Sequence, residues 1–352
     1  MDVAARKGDK PMKAVVKAKP EPGAELQDVD TPTPGPGEVL VRVAATSICG
    51  TDLHIYEWNE WARARIVPPQ IMGHELAGYV EEVGAEVHSV APGDYVSAET
   101  HIYCGNCYLC HIGKAHICRN LAILGVDRDG AFAEYIVVPE RVIWKNDPAL
   151  PPAVASIQEP FGNAVHAVQR AEVAGKRVAI FGDGTIGLMS CAVAKALGAH
   201  SVWLVGLSEA RLALGRKLGA DEVIDARGTD PVALVRKWTG GLGADVVLEM
   251  AGAQAALTQG LAAVRPGGRL IAFGIPPGAV PLDIPQVVFK EVEIVGVVGR
   301  HIFGTWEQAS RLLSRLDVSP VITDELPLSD YERGFAKLLR REAIKVVLYP
   351  ED

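Results

Sequence analysis

Apolar residues in the first part of the chain occur in short runs that Pro and Gly interrupt. From residue 13 to about residue 96, runs such as residues 39–43 (Val-Leu-Val-Arg-Val) alternate with turn-forming clusters such as residues 32–37 (Pro-Thr-Pro-Gly-Pro-Gly). Short runs rich in Val and Ile that are bounded by Pro and Gly are typical of strands and turns. This segment is therefore predicted to form an all-β, barrel-like domain.

The pattern changes after about Val165. Apolar runs at residues 178–181, 202–205, 246–248 and 270–273 are predicted to be strands, with Gly-containing turns and Ala/Leu-rich helices between them. Strands that alternate with helices build parallel, doubly wound sheets. The tail is predicted to add helices at residues 306–316 and 331–339 and a last strand at residues 345–348.

Length and composition favour a soluble protein of two domains. The chain has 352 residues, and Gly, Pro or charge breaks its apolar stretches before the ~20 residues that a membrane span needs. The net charge of -8 and the pI near 5.7 argue against nucleic-acid partners. Residues 1–11 lack the apolar stretch of a secretory signal, so we expect a disordered extension on a cytoplasmic protein with no membrane partner.

Four cysteines follow one another closely with the spacing C-x2-C-x2-C-x7-C. Thiolates spaced in this way can converge on one ion, and four sulfur ligands leave no open position for a substrate, as in structural zinc sites. Two local disulfides or four unrelated thiols are the alternatives, and a cytosolic setting disfavours disulfides. The segment 100–120 is therefore predicted to be a lobe held by structural zinc, with the ligands Cys104, Cys107, Cys110 and Cys118.

A Gly-rich loop follows the strand predicted at residues 177–181. The sequence Gly182-Asp183-Gly184-Thr185-Ile186-Gly187 precedes a helix predicted at residues 188–197. In a dinucleotide-binding fold, the three glycines of G-x-G-x-x-G permit the tight turn, the approach of the pyrophosphate and the packing of helix on strand. The alternative is a plain strand-to-helix turn, but the strand-loop-helix context favours a nicotinamide dinucleotide.

The second strand of such a fold usually ends in an acidic residue that binds the ribose hydroxyl groups. That position is Gly206 here. Ser208 or Arg211 could instead approach a 2'-phosphate. Glu209 could substitute as the partner of the ribose. A charged hydrogen bond contributes roughly 1.5 to 3 kcal/mol, so its loss need not abolish NAD binding. NAD is the expected cofactor, and the absence of an acid at Gly206 also admits NADP.

A second set of metal ligands lies upstream of the lobe and just before the nucleotide-binding segment. Cys49, His74 and Glu75 supply a thiolate, an imidazole and a carboxylate, and Glu159 supplies another carboxylate. Taken singly, each is as easily a core thiol, a buried histidine or a solvated acid. Together they are the mixed ligands of an open, catalytic zinc site.

These segments resemble the zinc-dependent medium-chain dehydrogenases over nearly the whole chain. The similarity is greatest to the members that oxidise L-threonine, and it is carried by residues 48–56, 58–61, 125–128, 159–166, 274–276, 299–300 and 305–306. The resemblance implies a GroES-like β-barrel catalytic domain at residues 12–164 and 301–352 and a Rossmann domain at residues 165–300. It also implies a homotetramer and two zinc ions in each chain.

The same resemblance assigns roles to individual residues. Cys49, His74 and Glu75 would bind the catalytic zinc, with Glu159 in or beside its shell. Thr51 and His54 match a proton relay, and His101 matches a position that handles threonine. The positions that match the nucleotide-lining segments are Gly182, Gly184, Ile186, Gly187, Gly206, Arg211, Phe273, Gly274, Ile275, Val297 and Val298, and Gly206 departs from the usual acid.

The implied reaction is oxidation of the C3 hydroxyl group of L-threonine to 2-amino-3-oxobutanoate with transfer of hydride to NAD(P)+. A polyol or 2,3-butanediol dehydrogenase would use the same metal and cofactor, and a non-catalytic, zinc-stabilised nucleotide-binding module is the alternative from another class. The remaining Cys and His residues are expected to serve packing: Cys191, His111, His116 and His166.

Overall fold

The structure, a computed structural model, describes residues 11–350. The chain divides into two compact units, Met1–Glu159 with Ile322–Asp352 and Pro160–Val321. Residues 1–10 of the predicted extension lie outside the described residues, whereas Pro11 is the first residue of strand β1. Within residues 11–350, no helix has both the length and the apolarity to cross a membrane.

The first unit is built mainly from strands. Their bounds are β1 Pro11–Lys17, β2 Glu25–Asp30, β3 Glu38–Ser47, β4 Gln70–Ile71, β5 Glu75–Val83, β6 Tyr95–Ala98, β7 His101–Ile102, β8 Ala122–Ile123, β9 Tyr135–Pro139 and β10 Ile143–Lys145, joined after the second unit by β17 Ile322–Pro327 and β18 Lys345–Tyr349. In the described chain, one sheet has the order β10-β6-β5-β3-β18-β17 with β9 also on β3, and smaller sheets pair β2-β1-β4 and β7-β8. The short apolar runs are therefore strands, as predicted, although the unit also contains helices and is not purely β.

Short helices connect these strands. They are α1 Gly50–Glu57, α2 Glu60–Arg65, α3 Tyr108–His111, α4 Pro152–Ser156 and α12 Tyr331–Leu339, with 3-10 turns at Ala115–Ile117, Glu140–Val142 and Leu328–Asp330. Helix α1 packs against α12, where the rings of Tyr56 and Phe335 stack with centroids 4.2 Å apart. The core of the first unit thus holds α1, the helix that begins next to Cys49, against the returning C-terminal segment.

The second unit contains a parallel sheet. Its strands are β11 Arg177–Phe181, β12 Ser201–Gly206, β13 Glu222–Asp225, β14 Ala244–Glu249, β15 Val264–Ala272 and β16 Glu293–Gly296. Among the described residues they lie in the order β13-β12-β11-β14-β15-β16, and each neighbouring pair is parallel. This is the 3-2-1-4-5-6 order of the dinucleotide-binding fold, and the predicted fold class is confirmed.

Helices alternate with these strands. They are α6 Thr185–Ala196, α7 Glu209–Lys217, α8 Pro231–Trp238, α9 Gln254–Ala263, α10 Ile284–Lys290 and α11 Gly304–Leu313, with a 3-10 turn at Ser319–Val321 and α5 Gln158–Ala171 at the unit boundary. Cys191 is buried completely in α6, as a core thiol should be. The helix predicted at residues 331–339 has the bounds of α12, whereas the one predicted at residues 306–316 begins and ends two to three residues earlier as α11.

The units divide at residues 159/160 and 321/322, whereas the sequence places the boundaries at 164/165 and 300/301. The contacts of α5 explain part of the difference. Arg300 donates to Oδ1 of Asn163 (2.8 Å), and Nδ1 of His166 lies 2.9 Å from the carbonyl oxygen of Gly299. These contacts join α5 to the segment after β16, so the residues from 160 onward belong to the second unit. A change in apolar pattern does not reveal such contacts.

Candidate active site

Cys49 lies at the amino end of α1, directly after strand β3. Its backbone N–H donates to Oδ2 of Asp52 (2.9 Å), and Oδ1 of Asp52 accepts the backbone N–H of Gly73 (3.2 Å). Burial raises the pKa of Asp52, and the nearby His74 and the N–H of Cys49 counteract that shift. The fully buried Asp52 carboxylate therefore ties the start of α1 to the loop that carries His74.

Gly73 sets the direction of the next two residues. Its φ of 87° is left-handed, and a side chain at this position would overlap the ring of Phe132. The chain then enters β5, where Glu75 pairs with Ser47 at the end of β3. His74 and Glu75 are both buried as a result.

The two oxygens of Glu75 have different surroundings. Oε2 is paired with Nζ of Lys345 and with the hydroxyl group of Ser47. Lys345, the first residue of β18, also donates to the carbonyl oxygen of Ile48 (3.0 Å). Oε1 is buried and has no hydrogen-bond partner among the described residues. It is therefore the oxygen of Glu75 that can bind a metal.

Cys49, His74 and Glu75 fit a zinc ion. Their ligand atoms lie within 4.8 Å of one another, and zinc binds sulfur, nitrogen and oxygen ligands at about 2.0 to 2.3 Å. Nδ1 of His74 lies 3.7 Å from Oδ1 of Asp52, so the buried carboxylate of Asp52 faces one edge of the imidazole ring. Three protein ligands leave a fourth position for water or substrate, as in catalytic sites.

The charges around these ligands favour a cation. Burial lowers the pKa of His74, but Asp52, then Cys49 and Glu159, raise it to about 10. Burial likewise lowers the pKa of Lys345, and Glu75, followed by Cys49, raises it above its usual value. Cys49, Asp52, Glu75 and Glu159 together carry more negative charge when ionised than one lysine can balance. A divalent cation would stabilise this cluster in place of a proton on His74.

Glu159 is close to the metal cluster without belonging to its tightest group. It is 5% exposed and influences the pKa values of both His74 and Lys345. Its carboxylate is not among the three ligand atoms that lie within 4.8 Å of one another. The arrangement suits a residue that enters or supports the metal shell.

The residues predicted for proton transfer and substrate binding are on two different elements. Thr51 and His54 lie on α1, and Nδ2 of Asn59 is 2.8 Å from Nδ1 of the exposed His54 ring. His101 is the first residue of β7 and is 8% exposed, and its backbone N–H donates to Oε1 of Glu99 (2.8 Å). Trp58, in the segment that resembles threonine-oxidising enzymes, is buried in the core, so its evident role is packing.

The four cysteines of the lobe converge. The distances between sulfur atoms are 3.5 Å for Cys107–Cys110, 3.7 Å for Cys107–Cys118, 3.4 Å for Cys104–Cys118 and 4.0 Å for Cys104–Cys110. A tetrahedral zinc ion with bonds of ~2.3 Å separates its sulfur ligands by about 3.8 Å. All four thiols are free, so the structure contains neither of the alternative disulfides. The four residues fit a closed zinc site.

The electrostatics of the lobe agree with this fit. Backbone N–H groups of Cys110 and Arg119 lower the pKa of Cys107 to about 6. Desolvation and the hydrogen bond to Cys107 raise the pKa of Cys110 to about 12, so four thiolates need a cation in order to coexist. Strands β7 and β8 close the base of the lobe, with His101 opposite Ile123.

The Gly-rich loop of the second unit has the geometry of a phosphate site. A Cβ atom on Gly187 would overlap the carbonyl oxygen of Gly182, so helix α6 packs closely on the end of β11. Gly184 is the N-cap residue of α6, without a side-chain cap, and has open space where its side chain would be. A helix end of this kind, with a Gly N-cap and open space beside it, can receive a pyrophosphate. Ile186 follows in the first turn of α6.

The other residues predicted to line the nucleotide lie at the same edge of the sheet. Because the strands are parallel, their carboxyl ends meet at one edge, where nucleotides bind in such folds. β12 ends at Gly206, and Arg211 lies in α7 just after it. The segments that follow β15 and β16 carry the remaining predicted residues, Phe273, Gly274, Ile275, Val297 and Val298. Among them, Ile275 is 85% exposed and Val298 is 49% exposed.

Comparison with known proteins shows which family the chain belongs to. Residues 35–149 match the alcohol dehydrogenase GroES-like domain, and residues 185–315 match the zinc-binding dehydrogenase domain. The L-threonine 3-dehydrogenase of Pyrococcus furiosus is 52% identical over 340 residues, which cover 96% of this chain and 98% of that protein. The chain belongs to the zinc-binding dehydrogenase family.

Solved structures of this family have the same fold. A zinc-binding dehydrogenase of Sinorhizobium meliloti 1021 bound to NADP has a TM-score of 0.90 and 29% identity, with 97% of this chain and 100% of that chain covered. The 2R,3R-butanediol dehydrogenase of Bacillus subtilis has a TM-score of 0.87 and 28% identity over the same shares. The predicted family and fold are confirmed.

Sequence reasoning missed three residues that support the sites of this zinc-binding dehydrogenase. Asp52 and Lys345 hold the ligand-bearing segments, and Glu249, at the end of β14, accepts the N–H groups of Ala251 and Gly252 (both 2.9 Å) at the nucleotide edge. Asp52 lies three residues after Cys49, the spacing at which a carboxylate can cap the helix start, so a local signal was present. Lys345 gave none, because its partners are hundreds of residues away in the sequence.

Proposed function

We propose that this zinc-binding dehydrogenase oxidises the C3 hydroxyl group of L-threonine to 2-amino-3-oxobutanoate and transfers a hydride to a nicotinamide cofactor. The observation that carries the proposal is the cluster of the half-buried Cys49 with the buried His74 and Glu75, in which Oε1 of Glu75 has no hydrogen-bond partner, in a chain half identical to L-threonine 3-dehydrogenases. The more distant similarity to a butanediol dehydrogenase makes diol oxidation the less favoured alternative.

The chain's own residues would bind the metal and manage the proton. Cys49, His74 and Glu75 would hold the ion, with Glu159 in or beside its shell. A zinc ion bound at this site would supply Lewis acidity, which lowers the pKa of a bound hydroxyl group as it lowers the pKa of bound water. Thr51 and His54 would carry the released proton to solvent, and the exposure of the His54 ring supports that role.

The substrate-binding part of the proposal assigns His101 to threonine. The residue is buried at the base of the lobe, where its backbone N–H is bound to Glu99 and its strand is paired with β8. The lobe that Cys104, Cys107 and Cys110 help to hold would therefore fix the position of His101. The proposal includes a second, structural zinc ion at this site.

The proposal names NAD as the cofactor, with NADP as the alternative. Support comes from the Gly-rich loop, with open space at Gly184, and from the predicted nucleotide residues at the carboxyl edge of the parallel sheet. The family relative that binds NADP supports a nicotinamide dinucleotide in general. A cytoplasmic location is part of the proposal, supported by the free thiols of the lobe, since reducing compartments preserve thiols.

The proposal also includes a homotetramer. Apolar side chains on α10 and on β16, an edge strand of the described sheet, are open to solvent, with Val288 62% and Phe289 87% exposed. Exposed apolar patches and unpaired strand edges are typical of contact surfaces between protein chains. Sedimentation equilibrium would test the assembly, and a monomer at all concentrations would contradict it.

The function is tested by initial rates with L-threonine, its stereoisomers, 2,3-butanediol and sorbitol, each with NAD and NADP. L-threonine should give the highest kcat/KM. The Cys49→Ser protein should lose one zinc ion. Its activity should fall by more than the roughly 10- to 100-fold that the loss of an outer-shell partner costs. Cys191→Ser, in the core of α6, is the matched control. Full activity of a folded Cys49→Ser protein with one zinc, or no alcohol-dependent NAD(P)H formation, would contradict the proposal.

A further inference from the structure

The end of β12 has no acidic residue of its own, but an acidic side chain from the loop after the neighbouring strand lies over it. Asp183 is the second residue of the Gly-rich loop, which follows β11, the neighbour of β12 in the sheet. Its Oδ2 accepts the backbone N–H groups of Leu207 (2.8 Å) and Ser208 (2.9 Å). The carboxylate is thus fixed on the segment that directly follows Gly206.

Asp183 and Gly206 depend on each other. A Cβ atom on Gly206 would lie 2.5 Å from Oδ2 of Asp183 and 2.6 Å from its Cβ and Cγ atoms. Such distances are too short for unbonded atoms, so a side chain at position 206 and the observed position of Asp183 exclude each other. The missing acid at Gly206 is therefore matched by an acid that reaches the same place from the Gly-rich loop.

We propose that Asp183 is the residue that determines cofactor specificity, by accepting a hydrogen bond from the adenosine ribose and repelling a 2'-phosphate, so that the enzyme prefers NAD to NADP. The inference rests on the proposed function, since it requires a dinucleotide at this loop. Oδ2 already accepts two N–H groups. Oδ1 of the half-buried side chain is therefore the oxygen that would accept the hydrogen bond from the ribose. A carboxylate at the end of the second strand performs the same task in other dinucleotide-binding folds.

The neighbouring charges agree with this assignment. Arg227, after β13, is held by Asp225 through Nε (2.9 Å to Oδ1) and Nη2 (2.5 Å to Oδ2). Glu209 adds a further negative charge in the first turn of α7, where Arg211 is the basic residue. The pKa of Arg227 is raised first by Asp225 and then by Glu209 and Asp183, so three acids act on this one arginine. A 2'-phosphate would therefore meet excess negative charge.

The test uses two unreactive ligands, ADP-ribose and 2'-phospho-ADP-ribose, whose binding to the zinc-loaded enzyme is measured by calorimetry. The wild-type protein should bind ADP-ribose at least about tenfold more tightly. Asp183→Asn keeps the shape and one acceptor oxygen but removes the charge. It should weaken ADP-ribose binding roughly tenfold and strengthen binding of the phosphorylated ligand by a similar factor. Glu222→Gln, at the amino end of β13, is the control with the same loss of charge and should change neither affinity.

A second variant tests the mutual exclusion and does not depend on the first. Gly206→Asp alone should bind both ligands poorly, because the new side chain displaces Asp183. Asp183→Gly combined with Gly206→Asp should recover the wild-type preference for ADP-ribose, because the carboxylate returns to the end of β12.

The outcomes separate this inference from the proposed function. If Asp183→Asn leaves the ratio of the two affinities unchanged, or weakens both equally, Asp183 does not set cofactor specificity. The proposed dehydrogenase function is not affected by that result. If the wild-type protein prefers the phosphorylated ligand, the inference is likewise overturned. If the wild-type protein binds neither ligand and shows no threonine oxidation, the proposed function fails as well.

Discussion

The buried pair of Lys345 and Glu75 gives the sharpest test of how the metal site is built. The side chain of Lys345 is 3% exposed and that of Glu75 is 0% exposed, so neither charge is solvated when the other is removed. Removing one partner of a buried ion pair costs about 3 to 5 kcal/mol. Lys345→Met should therefore lower the stability of the first unit by that amount, or its melting temperature by roughly 6 to 20 °C for a unit of this size.

Differential scanning calorimetry of zinc-loaded and chelator-treated protein measures this effect. The loss should be smaller in the loaded protein, because zinc compensates the charge on Glu75. Glu75→Gln added to Lys345→Met should recover much of the loss, since no unpaired carboxylate then remains. Lys145→Met, which breaks the exposed pair with Asp94, is the control and should cost at most about 1 kcal/mol. Equal costs for the two lysine variants, or no recovery in the double variant, would refute this account of the pair.

Four further outcomes follow from the contacts of single residues. Asp52→Asn should weaken zinc binding at the catalytic site about 10- to 100-fold in chelator competition; an unchanged affinity would show that Asp52 does not orient a ligand. Cys107→Ser should lower thermal stability and raise the KM for threonine while the catalytic zinc is retained, and unchanged values of both would contradict a role of the lobe in holding His101. For Asp245, partial burial raises the pKa, but hydrogen bonds from Arg177 lower it to about 2, below the unfolded value. It therefore stabilises the fold above about pH 4, and Asp245→Asn should reduce the loss of melting temperature between pH 4 and 2; a wild-type profile would contradict this. Gly187→Ala should abolish ADP-ribose binding in calorimetry, because the new Cβ overlaps the loop, and retained affinity would refute the packing argument.

The parts of the fold that sequence predicts are those with local signals. The Gly-rich loop, the strand before it and the helix after it are contiguous, and helix α12 has the bounds that its pattern predicts. The cysteine lobe is also local, because its four ligands lie within fifteen residues. The predicted catalytic ligands are dispersed, and the sequence groups Cys49 with His74 and Glu75 only through their residue types and the resemblance to a family.

Other features depend on contacts between distant residues. The boundary at residue 160 follows from contacts of α5 with Gly299 and Arg300, which the change in apolar pattern at about Val165 does not reveal. In the sequence, the usual acid is missing at Gly206, and Glu209 is the candidate to replace it. The structure instead brings Asp183 to that place, because β11 and β12 are parallel neighbours and end at the same edge.

The sequence by itself determined the division into two units, the parallel nucleotide-binding sheet and the residue types of the two predicted zinc sites, since periodicity, glycine spacing and residue chemistry are properties of neighbouring residues. Only the tertiary structure decided which charges surround those ligands. Lys345 reaches Glu75 because β18 returns to the sheet beside β3, and Asp52 joins two loops. Burial gives these contacts their energetic weight, because charges removed from water must be balanced by their neighbours.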